Sequence, residues 1–144
     1  MRKLIIFVIV FLLGFLACYM VLVNPDWYKA LRHAKLAVND CDTIIQEIEK
    51  YDWDVKLATA VMKAESKCDA EAKGDLDLVY EEEGRQYGYS MGAFQVRILP
   101  GRENCDTFDL KKNVECAYSI YNEAGREFTD WSMFNNGKYR DFLE

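Results

Sequence analysis

From Leu4 to Val23 the chain runs without a charged residue, directly after Arg2 and Lys3. About 20 apolar residues suffice to cross a bilayer as a helix, so this run is read as one N-terminal transmembrane or signal helix. Subtracting it from 144 residues leaves room for one compact domain of roughly 100 to 120 residues with a single core. One site is therefore expected, not several domains. The organisation read from the chain is an anchor or signal segment at 1–25, a juxtamembrane helix or tether at 26–39, and a folded domain at 40–144.

Whether the apolar segment is cut stays open at this level. Signal peptides use a shorter apolar core with a small-residue exit. Here the run continues past Ala17 and Cys18 through Tyr19, Met20, Val21, Leu22 and Val23, which favours a retained anchor. Lys29, Arg32 and Lys35 rival Arg2 and Lys3, so flanking charge leaves the orientation undecided. Cys41, Cys68, Cys105 and Cys116 all follow the run. An even number of cysteines in a small domain suits disulfides and an extracytoplasmic side, with secretion as the outcome if the segment is cleaved. No Cys-x-x-Cys is present and the single histidine, His33, lies far from the thiols, so no zinc set is apparent. Asp75-x-Asp77 leads to Tyr80 where a calcium loop needs glycine. The net charge of −6, with no basic stripe, argues against nucleic acid as a partner.

Past the tether, Ile44, Ile45, Ile48 and Tyr51 recur at helical spacing, and Asp40 or Asp42 can cap a helix running to about Tyr51. Asp54 can cap a second helix, whose Leu57, Ala58, Val61 and Met62 form one apolar stripe. From Asp69 to about Gly92 the pattern breaks into Gly, Asp, Glu and Tyr, which predicts a loop or small hairpin excursion. A third helix is expected from about Leu110 to Glu123, with Val114, Ala117, Tyr118 and Tyr121 on one face and Gly125 as its stop. The fold class is mainly α. An antiparallel pairing of the first two helices brings Cys41 to Cys68 and leaves Cys105 for Cys116.

Glu65 continues the stripe of the second helix, four residues after Val61 and three after Met62. A carboxyl there loses hydration of its charged form, and the negative end of the helix dipole opposes ionisation further, so its pKa should rise. A carboxylic acid that stays protonated near neutrality is the usual proton donor for breaking a glycosidic bond. Periodicity alone equally allows a side chain bent into solvent at a frayed helix end.

Several motifs over about Ile44 to Leu143 decide between these readings. Trp53-Asp54 followed by Leu57 to Glu65-Ser66, then Tyr89-Ser90-Met91-Gly92-Ala93-Phe94-Gln95-Val96, then Asn113, Ala117 and Tyr121, and finally Trp131 with Phe134-Asn135-Asn136-Gly137 occur in that order. In this order they resemble the lytic transglycosylase and goose-type lysozyme group of the lysozyme-like superfamily. The resemblance implies a lysozyme-like helical domain, with Glu65 as the catalytic acid. It places Ser66, Ser90, Gly92, Gln95, Phe134, Asn135 and Tyr139 at the sugar cleft.

Peptidoglycan glycan strands would be the partner, cut between N-acetylmuramic acid and N-acetylglucosamine, with the membrane reached through the N-terminal helix and no metal or organic cofactor required. Phe134 departs from the family's usual tyrosine, for which Tyr139, Tyr121 or Tyr89 are candidate substitutes. Gly74-Asp75 resembles the Gly-Asp of goose-type lysozymes, whereas Arg97 stands where those enzymes tend to carry another Asp. Two outcomes follow: closure of a 1,6-anhydro ring, the favoured one, or hydrolysis with Asp75 positioning water. A non-catalytic glycan-binding envelope protein is the rival from another class.

Overall fold

The computed structural model describes residues 41–143. The expected membrane helix and tether lie outside them, and among the described residues no helix is long and apolar enough to cross a membrane.

Helix α1 covers residues 41–48 and turns off before Tyr51, so Asp42 lies within it and does not cap it. Ile44 and Ile48 are fully buried. The helix stops where the indole Nε1 of Trp53 donates to the Ile48 carbonyl at 2.8 Å, satisfying an acceptor that the helix end leaves free. Helix α2, Val55–Ser66, opens on Asp54, whose carboxylate accepts from the Leu57 N–H at 3.0 Å. It closes on Lys67 in the left-handed conformation, whose N–H returns to the Lys63 carbonyl. Ala58, Ala60, Val61 and Met62 are its buried face. Cys41 is bonded to Cys68, across 27 residues, and Cys105 to Cys116, across 11, with Cα atoms 4.9 and 5.9 Å apart.

The excursion holds more strand than one small hairpin. Strands β1 (Lys73–Gly74), β4 (Ser90–Met91) and β5 (Val96–Arg97) form an antiparallel sheet in the order β1-β4-β5. Gly74 stands opposite Ser90, and Ser90 opposite Arg97. Strands β2 (Tyr80–Glu82) and β3 (Arg85–Tyr87) form a separate hairpin. Its two-residue turn is Glu83-Gly84, both at positive φ, the backbone that tight hairpins need. The domain is thus helical with two small antiparallel sheets. Strands of two or three residues are too short to show the alternation of period two by which a strand is read from sequence.

Helix α3, Leu110–Glu123, is capped by Asp109, which accepts from the Lys112 N–H at 2.8 Å. Gly125, at φ 76°, follows its end. Its buried Asn113 accepts from the Phe94 N–H at 3.1 Å and donates to the Met91 carbonyl at 2.9 Å, clamping the β4–β5 turn. Gly92 at the turn's start has φ 72°, and a Cβ there would come within 2.6 Å of Asn113 Cγ. Phe94 carries the turn into a core shared with Trp53, Phe128 and Trp131. The Trp131 indole donates to the Phe94 carbonyl at 2.8 Å, which ties the final segment to the turn. A short helix α4, Ser132–Asn135, and a 3₁₀ segment, Lys138–Phe142, then pack against α2.

Candidate active site

Glu65 is the penultimate residue of α2, half-buried where α4 crosses the helix end. Its Oε1 accepts from the backbone N–H of Met133 at 3.0 Å. Burial raises the carboxyl pKa above its ordinary value and the Asp75 charge pushes it the same way, while the Met133 hydrogen bond pulls it down; the net direction is upward. The side chain is therefore held by the fold and does not hang from a frayed helix end.

Asp75 follows β1 in a left-handed conformation, φ 56°, and accepts a hydrogen bond from the Ser90 hydroxyl of β4. Ser90 is almost wholly buried, so the carboxylate is fixed from the central strand of the sheet. Gln95 ends the β4–β5 turn, at φ 47°. Its Nε2 donates to the Gly92 carbonyl at 2.8 Å and the Ala72 carbonyl at 3.1 Å. Both amide protons are thus spent on backbone, and the oxygen lies over Gly74, where any Cβ would collide with it. Glycine before Asp75 is what lets the amide lock the turn to β1.

Glu65, Asp75, Ser90 and Gln95 share one cleft of about 390 Å³. Its wall is completed by Leu78, Val96, Arg97, Arg102, Ile120, Asp130, Trp131, Ser132 and Met133. Arg102 pairs with Asp130 at 3.1 Å. Among the described residues, no group of three His, Cys, Asp or Glu side chains is placed to hold a metal ion.

Five residues expected at the sugar cleft are not among its lining. The Ser66 hydroxyl turns back to the Met62 carbonyl of its own helix at 3.3 Å. Gly92 backs onto Asn113. Phe134 and Tyr139 stack on each other with ring centroids 4.9 Å apart, and Phe134 also packs against Phe128. Asn135 donates to the Thr129 carbonyl at 2.7 Å, bracing the chain before α4.

None of the tyrosines considered as substitutes for the family's tyrosine lines the cleft. The Tyr89 hydroxyl donates to Asp106 at 2.7 Å, and burial together with that carboxylate pushes its pKa up to about 12. Tyr121 is buried against Trp53 and Phe128. The cleft residues that motif reading missed have simple reasons: Met133 acts through its backbone, and the Arg102–Asp130 pair is separated by the whole of α3 and the segments flanking it.

No curated protein and no solved structure matches the chain. A family model described as a lysozyme-like domain matches residues 48–133, from the end of α1 to the Met133 that holds Glu65. That match takes in well over half of the chain, including all the strands, α2, α3 and every residue lining the cleft. The chain belongs to the lysozyme-like domain family.

Proposed function

We propose that the protein cleaves the glycan strands of peptidoglycan between N-acetylmuramic acid and N-acetylglucosamine, with Glu65 as general acid and then base. Family membership points to peptidoglycan-related glycan cleavage in general. The observation that carries the finer reading is a half-buried carboxyl with a raised pKa, oriented by the Met133 N–H inside a cleft. Surroundings that favour the protonated form suit such a group to deliver its proton to the glycosidic oxygen as an oxocarbenium-like state develops. Deprotonated, it then accepts the proton of the group that attacks C1. In the transglycosylase outcome that group is the muramyl 6-hydroxyl, and the product ends in a 1,6-anhydro ring.

Asp75 favours hydrolysis as a second reading. It is a second carboxylate on the same cleft, braced by the Ser90 hydroxyl and near enough to act on the titration of Glu65. A carboxylate so placed can stabilise the developing cation and orient a water toward C1. Mass analysis of the products from purified peptidoglycan tests both readings. Anhydro ends are expected for the transglycosylase outcome and reducing ends for the hydrolase; intact strands contradict the enzyme. The proposed setting is extracytoplasmic, with the domain attached to the membrane through the Leu4–Val23 segment.

A further inference from the structure

Every charged side chain on the cleft wall but one has a partner among the described residues. Glu65 is held by the Met133 N–H, Asp75 by the Ser90 hydroxyl, and Arg102 and Asp130 by each other. The Arg97 side chain lines the same cleft, exposed, and makes no hydrogen bond, ion pair or ring contact with a described residue.

Its backbone is nonetheless well fixed. It pairs across the sheet with Ser90, and the Ile98 N–H beside it continues the ladder to the Tyr89 carbonyl at 2.8 Å. Residues directly opposite in antiparallel strands project to the same face. Arg97 therefore stands across the sheet from Ser90, whose hydroxyl braces Asp75, on the cleft that both carboxylates line. A guanidinium presents a rigid planar fork of N–H donors that matches a carboxylate with two parallel hydrogen bonds. An arginine on a cleft wall whose fork is unspent among the described residues is a ready seat for an anion.

We infer that Arg97 is a specificity-determining residue that binds a carboxylate carried by the muramyl unit of the glycan, so that the cleft prefers acidic strands to neutral ones. This rests on the reading of the cleft as a glycan site. The carboxylate has two sources. In peptide-free strands it is the lactyl carboxylate of the muramyl residue; in peptide-bearing strands that group is an amide, and the carboxylates belong to the stem peptide. A neutral chito-oligosaccharide has neither.

The test is binding to the full-length chain carrying Glu65→Gln, in which turnover does not obscure affinity. Peptide-free strands, peptide-bearing strands and chito-oligosaccharide of equal length are compared, with and without Arg97→Gln. The inference predicts that Arg97→Gln lowers the preference for acidic over neutral strands by about tenfold, the scale of one charge-assisted contact at a partly exposed site. Arg97→Lys, which keeps the charge without the fork, should restore part of it. A loss confined to peptide-free strands assigns the lactyl carboxylate, and a loss confined to peptide-bearing strands assigns the stem peptide. An unchanged preference, with all three ligands still binding, overturns the role of Arg97 and leaves the glycan site standing. Failure of the Glu65→Gln chain to bind any of the three overturns both.

Discussion

A carboxyl group donates a proton near neutrality only when its surroundings disfavour the ionised form, and at Glu65 two of three influences do so. Burial weakens hydration of the anion, and the Asp75 charge repels it, against one backbone N–H that favours it. The pH dependence follows with a definite sign. Activity that needs protonated Glu65 falls as pH rises through its raised pKa, giving an alkaline limb. Asp75→Asn removes a negative charge that holds this pKa up, so the limb should move to lower pH. The check is kcat/KM on peptidoglycan against pH for both proteins. An unmoved or upward-shifted limb would mean that the group controlling the limb does not sense Asp75. The limb position is a separate readout from any loss of rate that follows from removing the carboxylate itself.

At the scale of elements, the site is a product of how the β4–β5 turn is seated on α3. Asn113 supplies both an acceptor to Phe94 and a donor to Met91 from a buried position. Asn113→Ala should leave those backbone groups buried and unpaired, at a cost of about 2 to 4 kcal/mol, read as a lowered urea midpoint. A change below about 0.5 kcal/mol would contradict the clamp. The three helices were legible because each is long enough to show a buried stripe and, in α2, a capping aspartate. The disulfide pairing followed from the antiparallel course of the first two. The small sheets were not legible, since two-residue strands carry no period and the lock that holds them is the Gln95 amide lying over Gly74. At the site, Glu65, Ser90 and Gln95 could be picked out by motif, and Asp75 from Gly-Asp. The Met133 N–H could not, because backbone donors leave no mark on side-chain identity. Phe134, Asn135 and Tyr139 were placed at the sugar by resemblance, yet their contacts in the structure are with protein: the two rings stack, and the amide braces Thr129.

For the whole described domain, one aromatic core joins the parts that build the cleft. Trp53 at the start of α2, Phe94 of the turn, Phe128 and Trp131 pack together. Met133, two residues past Trp131, then reaches Glu65 at the other end of α2. The acid, the second carboxylate and Arg97 are thereby brought to one hollow from segments far apart in sequence. Replacing the carboxyl by an amide removes the ionisable group but keeps an oxygen that can accept from the Met133 N–H, so the fold is expected to persist. The most direct measurement is the rate of glycan strand cleavage by the Glu65→Gln protein, with its circular dichroism and melting recorded alongside. A loss of roughly a hundredfold to ten-thousandfold with unchanged folding is the predicted result; cleavage at the parent rate would contradict the assignment of Glu65 as the acid.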